Sequence, residues 1–198
     1  MIKHHPTEDM LIKFVDGSLP TPFNVAISAH LELCSECKTR VLALENKSAN
    51  DVFKYEEEGI VDLDYDLSFM LDLITADNSI SHCESSKPVS IDFSGKEVTL
   101  PNAFNNYSRS DFSRIGKISR SRFESEDNEL RASLLHIEAG GEIPNHTHTG
   151  FEITLLLEGQ FEDESGVYNK GDFIWLDGSN SHSPKSKEGC ICFTLVNS

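Results

Sequence analysis

No apolar run in the sequence approaches the roughly 20 residues that a membrane-spanning helix needs. The N-terminal stretch also lacks the uninterrupted apolar segment of a signal peptide, because His4, His5, Glu8 and Lys13 are scattered through it. We therefore expect a cytoplasmic protein that does not associate with a membrane.

Basic residues are scarce, with 17 Lys and Arg against 33 Asp and Glu, for a net charge of -16. Binding to phosphates requires a positive surface, so direct contact with nucleic acid is not expected. An acidic surface suits a basic partner, although solubility alone is the alternative explanation. Residues 1–78 carry 15 acidic and 6 basic residues, a net charge of -9. This higher charge density indicates that the partner binds the first part of the chain.

Cysteine is limited to five residues, an odd number, in a chain without an export signal. A framework of disulfides is therefore not expected, and metal binding or redox chemistry becomes the more informative interpretation.

Hydrophobic periodicity predicts helices in residues 1 to about 48. The first helix begins after Pro6 and is stopped near Gly17, and the second runs from Phe23 to about His30. A third helix follows Cys34. Residues 51–66 then hold seven acidic residues and one lysine, which is typical of a solvated linker.

A short amphipathic helix is predicted after the linker, with one apolar stripe formed by Leu63, Leu67, Met70 and Ile74. Such a stripe needs to be covered, either by the preceding helices or by a partner protein.

From about Val89 the pattern changes to short strands separated by glycine-containing turns, which is typical of a barrel or sandwich. The clearest strands are Ser133–Glu138, Glu152–Leu157 and Asp172–Leu176. Glu158-Gly159 is interpreted as one of the turns between them.

A first set of candidate metal ligands is His30-x3-Cys34-x2-Cys37. The cysteine pair can place two thiolates on one tetrahedral ion, and the histidine lies close if the chain turns there. His4 or His5 could supply the fourth ligand. Zinc would then stabilise a helical domain whose own core is thin. The alternatives are a chance cysteine pair or a redox pair.

This arrangement resembles the zinc-binding domain of the ChrR family of anti-sigma factors, on the residues from Ala29 to Cys37 and the preceding His4-His5. The resemblance places the N-terminal ligand at His5. It implies four helices that bind an extracytoplasmic-function sigma factor and block its access to RNA polymerase. The fourth of these helices would correspond to about Asp66–Ile74.

A second set of candidate ligands lies in the pattern Gly-x5-His-x-His-x3-Glu-x6-Gly at Gly140–Gly159, which resembles the first cupin motif. His146 and His148 would point to one face of a strand, and Glu152 keeps the same parity. His182 stands where the second cupin motif has its histidine. Three imidazoles and a carboxylate can hold Zn²⁺ or another divalent transition metal such as Mn, Fe, Ni or Cu.

Together these patterns predict a two-domain α plus β protein, with a helical zinc-binding anti-sigma domain at 1–78 and a cupin β-barrel of the jelly-roll type at 79–198. The resemblance implies a regulatory protein and not an enzyme. It would release its sigma factor on an oxidative signal of the singlet-oxygen type, with a small molecule or oxidant acting at the cupin. One alternative is a metal-dependent cupin dioxygenase or isomerase with a zinc-stabilised appendage. A DNA-binding zinc module is the other, and the negative charge disfavours it.

Overall fold

The computed structural model describes residues 1–54, 67–76, 88–93, 95–124, 129–179 and 181–197. Its helices are α1 (Glu8–Val15), α2 (Thr21–Leu33), α3 (Ser35–Lys54) and α4 (Leu67–Ala76). None of the helices within these ranges is long and apolar enough to cross a membrane. Most of the predicted acidic linker and the predicted domain boundary at 78/79 lie outside the described residues.

The helix predictions are correct in number, but two boundaries differ. α2 extends beyond the predicted Phe23–His30 at both ends. At its start this is possible because Pro22 lies in the first turn, where a helix does not need the backbone N–H that proline lacks. α3 continues to Lys54, so residues 51–54 of the predicted linker are helical. At the start of α1, the Thr7 hydroxyl accepts the N–H of Met10 at 3.3 Å and caps the helix.

Helix α4 is markedly apolar and its described side chains are exposed. Five apolar residues have exposed fractions between 49% and 65%: Phe69, Met70, Leu71, Leu73 and Ile74. Leu63 and the side chain of Leu67, which the predicted stripe included, are outside the described part. A contiguous apolar surface of this kind is typical of a binding site for another protein.

The second part of the chain is an antiparallel β structure. A hairpin of β1 (Ser90–Phe93) and β2 (Lys96–Thr99) precedes a 3-10 turn at Asn102–Phe104. The nine remaining strands are β3 (Ser113–Ile115), β4 (Ile118–Arg122), β5 (Leu130–Ile137), β6 (Gly141–Glu142), β7 (Phe151–Asp163), β8 (Gly166–Asn169), β9 (Phe173–Asp177), β10 (Lys185–Ser186) and β11 (Cys190–Asn197). They form one sheet in the order β3-β4-β5-β11-β7-β10-β6, with β8 and β9 also paired to β7. The predicted order of helices followed by an antiparallel β structure is confirmed.

The predicted turn at Glu158-Gly159 is wrong. Strand β7 runs through this position, where both residues pair with β11, and the register with β11 skips the preceding residue, Leu157. Gly159 has a φ of 79°, and a Cβ at this site would lie 2.2 Å from the carbonyl oxygen of Gly189. Gly159 therefore allows β7 to pass close to Gly189 beside a β-bulge, and a glycine inside a long strand resembles a turn in sequence.

A single cluster of buried apolar side chains joins the helices to the sheet. Leu11, Ile27 and Val41 of the first three helices belong to the same cluster as Phe193 and Leu195 of β11. The two predicted parts of the chain are thus packed against each other through a shared core.

Aromatic and polar contacts reinforce this junction. Trp175 of β9 stacks on Phe151 with ring centroids 4.7 Å apart, and Phe23 of α2 lies 5.3 Å from Phe151 and 6.4 Å from Trp175. Near the 3-10 turn, the Glu32 carboxylate accepts the backbone N–H of Asn102 at 2.9 Å. Helix α2 therefore contacts both the sheet, through Phe23, and the 3-10 turn, through Glu32.

Candidate metal centres

The first cluster consists of His5, His30, Cys34 and Cys37, which the structure brings together as predicted. His5 precedes α1, His30 lies in the last turn of α2, and the two cysteines lie at the junction of α2 and α3. One ligand atom from each residue lies within 4.8 Å of the others. Cys34 immediately precedes α3 and Cys37 lies in its first turn, so the two residues are about one helical turn apart, and the N–H of Cys37 donates to Sγ of Cys34 at 3.5 Å.

The distances in the first cluster fit a tetrahedral ion. The Nδ1 atom of His5 lies 3.5 Å from Sγ of Cys34 and 3.3 Å from Sγ of Cys37. Zinc bonded to sulfur and nitrogen at its usual lengths would separate the two ligand atoms by about 3.6 Å. Both distances lie within about 0.3 Å of this value.

The ring of His30 is oriented by the sheet. Its Nδ1–H donates to the carbonyl oxygen of Gly171 at 2.9 Å, which leaves Nε2 as the ring nitrogen available to bind a metal ion. Nε2 is buried and has no hydrogen-bond partner among the described residues. A buried, unpaired imidazole nitrogen is unfavourable unless a metal ion occupies the site, so this atom supports a metal-binding interpretation.

The protonation equilibria of the first cluster also favour a bound cation. Burial lowers the pKa of His30 to about 4, so its imidazole is neutral and able to act as a ligand at neutral pH. Burial, together with the neighbouring Cys34, raises the pKa of the Cys37 thiol to about 12. Two thiols this close ionise together only when a positive ion compensates their charge.

The metal-free protein is expected to lose stability as the pH falls from about 6.5 towards about 4. The folded state holds His30 neutral down to a pKa of about 4, whereas the unfolded chain takes up a proton near 6.5. The shift in pKa corresponds to about 3 kcal/mol of unfolding free energy. This stabilisation is fully present above about pH 6.5 and is lost as the pH falls to about 4.

Urea unfolding of metal-stripped protein at stepped pH values would measure this dependence. A His30→Gln variant removes the titrating ring and should flatten the pH slope relative to the unsubstituted protein. If the unfolding free energies of the two proteins depended on pH with the same slope, His30 would not be the group responsible for the pH dependence.

The second cluster consists of His146, His148, Glu152 and His182, and it is also assembled in the structure. The prediction that both His146 and His148 lie on a strand is wrong. They occupy the loop before β7, where His146 forms only an isolated bridge with His182. Pro144, which has no N–H to donate, and Gly150 flank this segment and disfavour a continuous ladder.

Side-chain distances in the second cluster converge on one point. Nε2 of His182 lies 3.2 Å from Nε2 of His146 and 3.2 Å from Oε2 of Glu152. Nε2 of His148 lies 2.9 Å from the same carboxylate oxygen. Ligands bonded to one ion at about 2.1 Å would be separated by about 3.0 to 3.4 Å, depending on whether the geometry is octahedral or tetrahedral. The cluster therefore fits a transition-metal ion without distinguishing which one.

The charges of the second cluster are mutually dependent. Burial opposes ionisation of Glu152, but the hydrogen bond with His182 and the nearby imidazoles outweigh it and lower the pKa of Glu152. The hydrogen bond to Glu152 raises the pKa of His182 despite desolvation. A bound cation would take over the role of the imidazolium and displace its proton.

Two positions near the clusters were not identified from the sequence. Asp163 is buried, and its Oδ2 lies 3.6 Å from Nδ1 of His182, on the side of the ring away from Glu152. Asp172 is fully buried beside Gly171. Neither residue belongs to a recognisable ligand spacing, and their proximity to the histidines depends on contacts that only the folded chain makes.

A cavity adjoins the second cluster. It is lined by cluster residues and by side chains that include Phe161, Ile174, Cys192 and Thr194. Cys190 and Cys192 are buried in β11, with their sulfur atoms 4.0 Å apart.

Comparison with known proteins defines the class of the chain. A family model described as the ChrR cupin-like domain matches residues 118–198, which contain the whole second cluster. The chain is therefore a two-part α plus β protein whose second part is similar to the ChrR cupin-like domain.

Similarity to one characterised protein extends over nearly the whole chain. The anti-sigma-E factor ChrR of Cereibacter sphaeroides is 28% identical over 198 residues, which is 98% of this chain and 89% of that protein. The crystal structure of Rhodobacter sphaeroides SigE in complex with the anti-sigma ChrR matches with a TM-score of 0.67 and 23% identity, covering 100% of both chains. The resemblance to ChrR inferred from the sequence is thereby confirmed.

Proposed function

We propose that this chain is an anti-sigma factor that binds an extracytoplasmic-function sigma factor and keeps it from RNA polymerase. The observation that carries the proposal is similarity to an anti-sigma factor across both parts of the chain, and not only across the widespread cupin fold. In this role the protein acts by binding, so it is a regulator and not an enzyme.

Two apolar surfaces of the helical part suit such a partner. One is the exposed surface of α4. The other is a groove between α1 and α3, lined on its apolar side by Ile12, Val15, Leu44 and Val52. The surrounding negative charge would complement the basic surfaces with which a sigma factor contacts DNA.

The metal assignment is part of the proposal. His5, His30, Cys34 and Cys37 would hold Zn²⁺ in a closed site with four protein ligands, which is typical of structural zinc. His146, His148, Glu152 and His182 would hold Zn²⁺ or another divalent transition metal. The fit is supported by the distances described above and by the buried Nε2 atom of His30.

Release of the sigma factor would follow an oxidative signal of the singlet-oxygen type that acts at a metal centre. Thiolates and imidazoles are the groups in these clusters that react with oxidants. The second cluster is the proposed sensor, because a cavity lined by its own residues adjoins it.

The proposal is tested by co-purification with the candidate sigma factor and metal analysis of the complex. We expect a tight complex with one metal ion per cluster, since the two clusters use separate ligands. Exposure to a photosensitiser that produces singlet oxygen should release the sigma factor.

The matched variant is His146→Ala with His148→Ala, which removes two ligands of the second cluster and leaves the helices intact. It should bind the sigma factor as tightly as the unsubstituted chain but fail to release it in the light. Failure of the unsubstituted chain to bind any sigma factor would overturn the anti-sigma proposal. Normal release from the variant would overturn only the sensing role of the second cluster.

A further inference from the structure

The turn between β8 and β9, residues 169–172, contacts the N-terminal segment of the chain and is called here the barrel turn. Asp172 in this turn is fully buried, and its Oδ1 accepts the backbone N–H of Lys3 at 2.6 Å and of His4 at 3.0 Å. Its Oδ2 accepts the N–H of Asn169 at 2.8 Å. These hydrogen bonds hold the N-terminal segment and the barrel turn together, because the loss of any one of them would leave the buried carboxylate charge less well compensated.

A second contact fixes the same segment from the strand side. The N–H of Phe173 donates to the carbonyl oxygen of His4 at 2.9 Å. The backbone of Lys3 and His4 is therefore held by two neighbouring residues, by the side chain of Asp172 and by the backbone N–H of Phe173. His5, the next residue, places its Nδ1 against the two thiols of the first cluster.

The barrel turn also holds the other histidine of the first cluster, since the carbonyl oxygen of Gly171 accepts the Nδ1–H of His30. Gly171 has a φ of 92°, and a Cβ here would lie 2.4 Å from the side chain of Ile2. A glycine is thus required for the turn to approach the N-terminus this closely.

We propose that the barrel turn is a positioning element of the first cluster: the Asp172 carboxylate sets the place of His5, and the Gly171 carbonyl sets the ring of His30. The cupin part of the chain thereby completes a metal centre whose four ligands all belong to the helical part. Occupancy of the first cluster and docking of the helices on the sheet are then thermodynamically coupled. This inference rests on the metal assignment of the first cluster made above.

The experiment uses the metal-stripped full chain titrated with Co²⁺ under reducing conditions. Cobalt bound by Cys34 and Cys37 gives a thiolate-to-metal charge-transfer band, which reports the first cluster alone because the second has no thiolate ligand. An Asp172→Asn variant should bind cobalt at the first cluster about 10-fold more weakly, as expected for loss of a group that orients a ligand. The band and the ligand-field spectrum should also shift, because the histidines are no longer fixed.

A second variant acts from the N-terminal side and leaves the sheet untouched. Lys3→Pro removes one of the two N–H groups that Asp172 Oδ1 accepts, and we expect about five-fold weaker cobalt binding. Lys3→Ala removes only the side chain and should bind cobalt like the unsubstituted protein. This pair keeps the test valid even if Asp172→Asn fails to fold.

Asp163→Asn is the crossed control. It also removes a buried carboxylate that accepts two turn N–H groups, those of Ser165 and Gly166, but it lies at the second cluster. It should leave the thiolate band and its titration unchanged, whereas general destabilisation of the sheet would alter both.

The possible outcomes distinguish the metal assignment of the first cluster from the positioning role of the barrel turn. Absence of a thiolate band in the unsubstituted protein would overturn the metal assignment itself. A normal band there, with affinity and spectrum unchanged in both Asp172→Asn and Lys3→Pro, would overturn the positioning role alone.

Discussion

Replacing Cys34 with alanine is expected to remove the metal ion of the first cluster and, with it, the binding of the sigma factor. The ion would retain three protein ligands, and its affinity should fall by more than about 100-fold, beyond the effect of losing an orienting group. Structural zinc contributes roughly 10–16 kcal/mol in small zinc-binding peptides, so its loss is large compared with the stability of a domain.

The consequence should be severe because the helices contain few buried apolar side chains. Apart from the cysteines of the first cluster, the buried residues that α1, α2 and α3 contribute to the shared core are Leu11, Ala26, Ile27, Ala29 and Val41, of which two are alanines. Without the ion, the junction of α2 and α3 loses the group that joins it to His5. Metal analysis should show one ion fewer per chain, and circular dichroism should show a loss of helix.

Cys190→Ala is the matched control for this prediction. Cys190 is also a buried cysteine, but it belongs to neither cluster. This variant should keep its full metal content and its affinity for the sigma factor. Retention of the first metal and of sigma binding in Cys34→Ala would refute the structural role assigned to the cluster.

The second large effect is expected at the shared core, where Phe193→Ala should destabilise the protein by about 3–5 kcal/mol. Phe193 is fully buried in β11, between β5 and β7, and its ring lies 5.4 Å from Phe104 and 5.7 Å from Phe123. The truncation leaves a cavity that strands on both sides cannot fill by a small movement.

Because helical and sheet residues share this core, the variant should lower the stability of both parts in one cooperative unfolding transition. Urea unfolding followed by far-UV and near-UV circular dichroism would measure it. Phe193→Leu, which keeps most of the apolar volume, should cost less than about 1.5 kcal/mol. Separate helix and sheet transitions, with only the latter shifted, would show that the two parts fold independently.

The candidate ligands could be predicted from the sequence because they come in short groups of chemically distinctive residues. Cys34 and Cys37 are three residues apart, and His146, His148 and Glu152 fall within seven residues. His30 belongs to the same short group as the cysteines, so only His5 and His182 had to be added, and for these the resemblance supplied the position. The strands of the sheet were likewise predictable where largely apolar runs lie between turn residues, as at residues 153–157 of β7, which are all buried.

What could not be predicted depends on contacts between residues far apart in sequence. Asp172 meets Lys3 across 169 residues and Gly171 meets His30 across 141. Neither residue has a neighbour that reveals this role. Periodicity separated the chain into helical and β parts correctly, but it contains no information on whether two apolar faces pack against each other.

The two errors of local prediction have different causes. Glu158-Gly159 was interpreted as a turn but lies inside β7, where pairing with β11 keeps the chain extended next to a β-bulge. The histidines at 146 and 148 were placed on a strand but lie in a loop, which Pro144 and Gly150 flank.

Trp175 is the only tryptophan in the chain, and it lies where the helices meet the sheet. Its indole stacks on Phe151, is 43% exposed, and lies 6.4 Å from the Phe23 ring of α2. The protein thus contains its own optical probe: the emission wavelength and quenching of this single fluorophore report whether α2 is seated on the sheet. Separation of the two parts can therefore be followed in real time, without a label, in the presence of any partner that lacks tryptophan.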